Sequence, residues 1–180
     1  SLKCWGYNNE GQLGIGSGSQ QKTPQNVNIL GDFIPVSLIL GTYNSCLIVN
    51  DSSLNCWGRN YYNQFDPIST QSLTTPYNIG YNINTNVQQL FLGDSGLCVK
   101  LDDDALKCVG TNSNGELGIG TNNPTNRLSF VNLGAGKTVD SMSLGGSHSC
   151  AILNDGSLKC WGYNIKGQLG TGDTNNRNTP

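Results

Sequence analysis

The chain has 180 residues, of which 12% are charged, and its formal net charge is −2. No run of lysine or arginine offers an electrostatic footprint for a nucleic-acid backbone or an anionic membrane surface, so neither partner is indicated. The one continuous apolar stretch of note, residues 33–40, is far too short to cross a bilayer, and no membrane span is predicted.

The sequence repeats itself every 52 residues. The clearest markers of the period are Cys-Trp-Gly at residues 4–6, 56–58 and 160–162, with Cys-Val-Gly at residues 108–110. No insertion or deletion separates the copies. A fixed period of this length is typical of solenoids and propellers, in which copies of one supersecondary unit bury their apolar faces against each other. We therefore expect function to reside on a surface of the array.

The markers divide the chain into repeats at residues 5–56, 57–108 and 109–160, with an incomplete repeat at 161–180. The first residues belong to the last strand of one unit, and the final residues belong to the early part of another. We therefore expect residues 1–180 to form a single partial domain that is part of a longer array.

Each repeat reads as a series of short strands. In residues 33–40 the apolar side chains of Ile34, Val36 and Leu38 alternate along the chain, and a hairpin and a Gly-Gln-Leu-Gly type segment follow. No segment has helical periodicity over a useful length. Four short strands in a unit of about 50 residues are typical of a propeller blade, so the predicted fold class is all-β.

The most regular hairpin lies in the third complete repeat. Two strand-like runs flank residues 154–156, whose sequence is Asn-Asp-Gly. A three-residue hairpin loop favours Asn or Asp early and Gly last, as found here. The resulting register pairs Leu153 with Ser157 and Cys150 with Cys160.

The same register predicts three disulfides. The predicted pairs are Cys46–Cys56, Cys98–Cys108 and Cys150–Cys160. Directly opposed residues on antiparallel strands have Cα atoms about 4.5–5.5 Å apart, which is within the range of about 4.4–6.8 Å that a disulfide requires. The alternative is that these six cysteines are reduced thiols that act as small buried hydrophobes. Cys4 is left unpaired.

Three segments resemble the repeat of the regulator of chromosome condensation family. They are residues 144–152 (LGGSHSCAI), 160–164 (CWGYN) and 167–170 (GQLG). The string WGxNxxGQLGxG occurs at residues 5–16 and 161–172, with a close variant at 109–120. The resemblance extends over the whole chain and implies the fold of the family, a seven-bladed β-propeller. Seven such units need about 364 residues, so this chain corresponds to about three and a half blades.

The resemblance does not specify function, because one fold hosts many activities. Members of the family include nuclear exchange factors for a Ran-type GTPase, a plant UV-B photoreceptor, modules fused to ubiquitin ligases, and secreted bacterial propellers. Its paired cysteines make the chain more similar to the secreted or cell-surface members than to the nuclear ones, because an intracellular redox poise keeps thiols reduced. We therefore predict a non-enzymatic interaction scaffold, extracellular or at the cell surface, whose partner is an unidentified protein or extracellular ligand.

The alternative function is a guanine-nucleotide exchange factor for a small Ran-like GTPase, located inside the cell or in the nucleus. This alternative predicts free thiols and measurable nucleotide exchange. The opposed cysteines, the absence of a basic tail and the even spacing of the repeats all count against it.

No catalytic, cofactor or metal site is predicted. His148 is the one histidine, and its equivalents in other repeats are Asn44 and Gly96, so it is better explained as a local hydrogen-bonding residue than as a catalytic base. The cysteines lack the C-x-x-C spacing of a zinc site. The acidic run at residues 102–104 occupies the same hairpin turn as residues 154–156 and is therefore interpreted as a turn.

The aromatic residues fall into two groups. The periodic tryptophans, which are predicted to pack between or within blades, are Trp5, Trp57 and Trp161. The tyrosines that do not follow the period are Tyr61, Tyr62, Tyr77 and Tyr81. Non-periodic aromatic residues are what a binding surface would add to a repeat, so these four are the candidate partner-binding residues. Packing within an irregular repeat is the alternative explanation.

Overall fold

The structure is a computed structural model that describes residues 1–29, 31–66, 68–79, 86–94 and 96–180. Within these ranges the protein is all-β, with thirteen strands in four antiparallel sheets. The described part of the chain contains no helix long and apolar enough to cross a membrane. The predicted fold class, an all-β array of propeller blades, is confirmed.

The strands pair in chain order within each sheet. The first sheet contains β1 (Lys3–Gly6) and β2 (Gln21–Asn26). The second contains β3 (Pro35–Leu40), β4 (Asn44–Val49), β5 (Leu54–Gly58) and β6 (Leu73–Asn78). The third contains β7 (Val87–Leu92), β8 (Gly96–Leu101), β9 (Leu106–Gly110) and β10 (Thr125–Phe130). The fourth contains β11 (Val139–Leu144), β12 (His148–Leu153) and β13 (Leu158–Gly162).

The predicted hairpin register is confirmed in the fourth sheet. Cys150 pairs with Cys160, and the amide of Leu153 donates to the carbonyl of Ser157 at 2.9 Å. The turn closes on a residue in the left-handed conformation, which is Gly156 here (φ 79°). Ser52 occupies the same turn position in the second sheet and is also left-handed (φ 65°). This backbone conformation is strained for a residue that has a side chain.

The hydrophobic core lies between neighbouring sheets. One cluster joins Ile48 and Leu54 of the second sheet to Leu97 and Val99 of the third. Another joins Phe91 of the third sheet to the strands of the fourth. Strand β7 packs against both β3 and β11. Each sheet therefore buries its apolar side chains against its neighbours, as the repeat pattern predicts.

A buried asparagine fixes the long loop that follows the third strand of each unit. The four equivalents, all fully buried, are Asn8, Asn60, Asn112 and Asn164. Each side-chain oxygen accepts the amide five residues further on, at 2.8–2.9 Å. Each side-chain nitrogen donates to oxygens further along the same loop. Because both ends of the amide are bonded, the loops have one defined shape.

The long loops lie together at one end of the sheets. They comprise residues 7–20, 59–72 and 111–124, of which residue 67 lies outside the described ranges. In an antiparallel sheet, the loop between strands one and two is at the same end as the loop between strands three and four. Residues 41–43 therefore share this end, which we name the long-loop end.

Candidate functional site: an interaction surface

Each long loop is clamped onto the next sheet at a junction. At the first junction, the carbonyl of Gln12 accepts hydrogen bonds from Ser45 Oγ and Trp57 Nε1, both at 2.8 Å. The indole of Trp57 lies against Gly14, where a Cβ atom would come within 2.7 Å of Nε1. Gly14 must therefore be a glycine, because the Cβ atom of any other residue would clash with the Trp57 indole.

The third junction repeats this geometry. The carbonyl of Glu116 accepts from Ser149 Oγ at 2.8 Å and from Trp161 Nε1 at 3.0 Å. A Cβ atom at Gly118 would lie 2.6 Å from the same indole nitrogen. Because the serine, the tryptophan and the glycine recur together, they form one structural unit of the junction.

The second junction, between the loop at residues 60–66 and the third sheet, uses other residues. Leu97 and Val109 replace the serine and the tryptophan, and neither can donate a hydrogen bond from its side chain. Asp66 stands where the other junctions have glycine, and Phe65 replaces a leucine. Phe65 and Val109 are fully buried in one cluster. The second junction thus has a phenyl ring in place of a leucine side chain and a valine in place of the indole.

The candidate tyrosines Tyr61 and Tyr62 lie on the long-loop end beside this irregular junction. They are 50% and 48% exposed. The Tyr61 hydroxyl donates to Glu10 Oε1 at 3.1 Å, across the boundary between two units. The structure therefore places these two side chains on an accessible surface, which is the first requirement for the predicted role.

Arg59 connects Tyr61 to its surroundings. The guanidinium carbon of Arg59 lies 3.9 Å from the ring centroid of Tyr43 and 5.2 Å from that of Tyr61. Its Nη2 atom lies 3.5 Å from Glu10 Oε1. Arginine over an aromatic face gains cation–π stabilisation. We name these four residues the Arg59 cluster: Glu10, Tyr43, Arg59 and Tyr61.

The carboxylate of Glu10 holds the cluster together. Ser72 Oγ donates to its Oε2 at 2.6 Å, while Tyr61 and Arg59 contact Oε1. Partial burial acts to raise the pKa of Glu10, but the hydrogen bonds from Ser72 and Tyr61 and the charge of Arg59 outweigh it, so the pKa lies below its usual value. Glu10 is therefore ionised at neutral pH and anchors the arginine.

Tyr62 forms one wall of a groove at the outer rim of the second junction. The groove has a volume of about 380 Å³, and it is lined by Tyr62, Asn63, Pro124, Thr125 and Asn126. At the first and third junctions the equivalent residues are Gly11 and Gly115, where a Cβ atom would come within 2.8 Å of the backbone of Leu73 and 2.6 Å of that of Asn178. A side chain at this position keeps the two elements apart, and the groove occupies the space between them.

The other two candidate tyrosines do not join this surface. Tyr77 lies on β6, the outer strand of its sheet, opposite Cys56. It is toward the end of the sheet away from the long loops. Tyr81 lies outside the described residues. The structure therefore brings together Tyr61 and Tyr62 and adds Glu10, Tyr43 and Arg59, which sequence reasoning missed.

The six paired cysteines are opposed in the structure as the register predicts. The disulfides are Cys46–Cys56, Cys98–Cys108 and Cys150–Cys160, each with Cα atoms 4.1 Å apart. Cys4 is free and buried, and burial raises the pKa of its thiol. Each disulfide links two neighbouring strands of one sheet, which are β4 and β5, β8 and β9, and β12 and β13.

The packing prediction for the tryptophans is correct for Trp57 and Trp161, which are fully buried. It is wrong for Trp5, which is 60% exposed. Each buried indole is covered by a long loop whose contacting residues lie 43–45 positions earlier in the chain, Gln12 and Gly14 for Trp57 and Glu116 and Gly118 for Trp161.

The described residues contain no group of three or more His, Cys, Asp or Glu side chains that could hold a metal ion. The acidic run at residues 102–104 forms a hairpin turn, in which the amide of Asp104 donates to the carbonyl of Leu101 at 3.0 Å. His148 lies at the start of β12, at the position that Asn44 occupies in the second sheet.

Comparison with known proteins identifies the repeat. Residues 4–48 match the regulator of chromosome condensation (RCC1) repeat, and residues 139–168 match a second description of the same repeat. The fold is similar to that of human WBSCR16, with a TM-score of 0.85 and 24% sequence identity over 99% of this chain and 47% of that one. It is also similar to yeast RCC1 (Prp20) in its complex with Kap60, with a TM-score of 0.83 and 18% identity over 99% of this chain and 43% of that one.

Two curated relatives extend the comparison. The chain is 25% identical to the ultraviolet-B receptor UVR8 of Arabidopsis thaliana over 98% of its own length and 40% of the receptor. It is 27% identical to the E3 ubiquitin-protein ligase HERC2 of Homo sapiens over 98% of its own length and 4% of the ligase. The chain thus spans less than half the length of each relative. The matched segments are regulator of chromosome condensation repeats, and the 52-residue period that connects them and the antiparallel sheets agree with a partial β-propeller built of such repeats.

Proposed function

We propose that this chain is a non-enzymatic scaffold that binds a protein partner through its long-loop end. The observation that carries the proposal is the Arg59 cluster together with Tyr62. These residues depart from the repeat, whereas the buried asparagine of every long loop is retained in all four copies. Loops on a rigid scaffold are where binding residues are concentrated, so departures on these loops favour a role in binding.

The composition of the surface supports binding to a protein. Tyrosine and arginine are enriched at the centres of protein interfaces, where they supply large contact areas. Arg59 is held between two rings and the carboxylate of Glu10. A side chain that is already fixed loses little conformational entropy when a partner binds, which favours affinity.

We further propose that the protein works outside reducing compartments, as a secreted or cell-surface molecule. Three disulfides at equivalent positions support this location, because such bonds persist in oxidising environments. The partner would then be an extracellular protein or ligand. The alternative function, nucleotide exchange on a Ran-like GTPase, requires an intracellular protein with reduced thiols.

The test is a binding experiment with a matched control in another repeat. Proteins of the extracellular fraction are cross-linked to the intact chain, to the variant Tyr61→Ala with Tyr62→Ala, and to the variant Ile165→Ala with Lys166→Ala, which alters the equivalent loop positions 104 residues later. We expect a specific partner to be lost only from the tyrosine variant. Equal capture by all three proteins, or release of fluorescent GDP from a Ran-like GTPase by the intact chain, would contradict the proposal.

A further inference from the structure

The hairpin turn of the second sheet carries a tripeptide that the equivalent turns lack. Residues 50–52 read Asn-Asp-Ser, whereas the equivalent residues read Asp-Asp-Asp at 102–104 and Asn-Asp-Gly at 154–156. Asn-x-Ser or Asn-x-Thr, in which x is any residue except proline, is the acceptor sequence for N-linked glycans. No other tripeptide of this kind occurs in the sequence. The turn of the second sheet is therefore the one place that meets this requirement.

The turn is accessible to solvent. Asn50 and Asp51 are exposed. The equivalent turn at residues 102–104 is exposed as well, although the third sheet packs against both the second and the fourth. The exposure is therefore a property of the hairpin tip and does not depend on which sheets lie beside it. An acceptor for a bulky glycan has to lie on such a surface.

The side chain of Asn50 is held by its oxygen, which leaves its nitrogen available. The amide of Ile34 donates to Asn50 Oδ1 at 3.1 Å, and the amide of Asn50 donates to the carbonyl of Ile34 at 2.9 Å. Among the described residues Asn50 Nδ2 has no hydrogen-bond partner, whereas Nδ2 of the equivalent Asn154 donates to the carbonyl of Gly136 at 3.1 Å. A sugar on Nδ2 of Asn50 therefore leaves both bonds to Ile34 in place.

The serine at position 52 is not explained by the turn. Ser52 has the left-handed conformation that strains a residue with a side chain, whereas Gly156 adopts it without that cost. The third equivalent, Asp104, gains an ion pair with Lys100 at 3.1 Å. Within the described part of the chain, the Ser52 hydroxyl has no hydrogen-bond partner. The turn thus does not need this hydroxyl, which is the group that the acceptor sequence requires two residues after asparagine.

We propose that Asn50 is a site of N-glycosylation. The inference rests on the proposed location outside reducing compartments, because such glycans are added in the secretory route. In the transfer, Nδ2 of Asn50 forms a bond to the anomeric carbon of an oligosaccharide that is carried on a lipid diphosphate. The bond between that carbon and the diphosphate oxygen breaks, the lipid diphosphate leaves, and Nδ2 loses one proton. One N–H remains on the amide.

The position of the glycan separates it from the proposed binding surface. The turn between the second and third strands of an antiparallel sheet lies at the end opposite the loops that join strands one and two and strands three and four. Asn50 is therefore at the far end of the second sheet from Arg59 and Tyr61. A bulky, hydrophilic group there covers the exposed tip and leaves the long-loop end open to a partner.

The test is peptide mapping of the natively expressed protein, first without reduction and then after treatment with a peptide N-glycosidase in heavy-oxygen water. The glycosidase converts a glycosylated asparagine to an aspartate that carries one heavy oxygen, and it does not act on an unmodified asparagine. We expect this label at Asn50 in protein that contains the three disulfides. Intact disulfides with an unlabelled Asn50 would overturn the glycosylation and leave the proposed location standing. Free thiols would overturn the location and this inference with it.

Variants of the full chain, made with a cleavable secretory leader in a eukaryotic host, test the role of Ser52. Ser52→Thr keeps the acceptor sequence and should keep the glycan. Ser52→Gly should abolish the label while the disulfides still form, because the turn then has the glycine of the fourth sheet. Gly156→Ser gives Asn154 the same tripeptide and should add a glycan there. A label at Asn154 in that variant with none at Asn50, or a label at Asn50 that survives Ser52→Gly, would overturn the proposal.

Discussion

The second junction and the third junction solve the same packing problem with different residues. The third uses Gly118, Ser149 and Trp161, with the two side-chain donors both bonded to the carbonyl of Glu116. The second uses Asp66, Leu97 and Val109 and fills the space with Phe65. The four positions change as a group, because the indole of Trp161 leaves no room for a Cβ atom at Gly118, whereas Val109 occurs with Asp66, which has one.

The largest expected effect comes from breaking the third junction. Trp161→Val should lower the free energy of unfolding by about 3 kcal/mol, because it leaves a cavity and removes one of the two hydrogen bonds to the carbonyl of Glu116. Chemical denaturation followed by circular dichroism measures the change. Adding Gly118→Asp, Ser149→Leu and Leu117→Phe transfers the residues of the second junction and should recover part of the loss. Strictly additive losses would show that the positions are independent.

The sequence predicts the features that depend on spacing within one repeat. The period, the hairpin register and the opposition of Cys150 to Cys160 all follow from counting along one hairpin. The compensation between Phe65 and Val109 was not predicted, because these residues lie 44 positions apart and meet only across a junction. Their signal was present, since both depart from the period in the same copy.

The prediction of the candidate site has the same limit, because contacts between sheets do not follow from the sequence of one repeat. Tyr61 and Tyr62 were predicted, because they interrupt the repeat. Glu10 was not predicted, since its contact with Tyr61 crosses 51 residues and depends on how two sheets pack. The repeat pattern therefore indicates which copy is irregular but not which residues of the neighbouring unit contact it.

Removal of a disulfide is expected to have the next largest effect on stability. Comparing two disulfides tests whether the second and third junctions depend on them equally. Cys98→Ala with Cys108→Ala should cost about 2–3 kcal/mol, because each disulfide closes a short hairpin loop. Cys150→Ala with Cys160→Ala is the matched variant beside the third junction. Peptide mapping of the native protein without reduction should first identify the three bonds. If only one of the two variants lost stability, the residues packed around that disulfide, and not closure of the hairpin loop, would determine the free-energy cost of removing it.

A smaller effect is expected from single hydrogen bonds at the junctions. Ser149→Ala should cost about 1 kcal/mol, since Trp161 still donates to the same carbonyl. Ser45→Ala at the first junction provides an equivalent measurement and should give the same value. If either substitution were neutral in thermal unfolding, the serine would be a filler of space and not part of the clamp.

The smallest effect concerns pH and the surface beside the irregular second junction. The folded-state pKa of Glu10 is depressed, so its ionised form contributes stability that is present above the unfolded pKa of about 4.3 and is lost as the pH falls through the folded pKa. Glu10→Gln should therefore reduce stability at pH 7 and flatten its decline between neutral and acid pH. The equivalent position in the last loop is Lys166, so Lys166→Gln serves as the control and should leave the acid limb unchanged. An unaltered pH profile in Glu10→Gln would mean that the carboxylate does not hold Arg59 and Tyr61 in place, and the preorganisation of the binding surface would then need another cause.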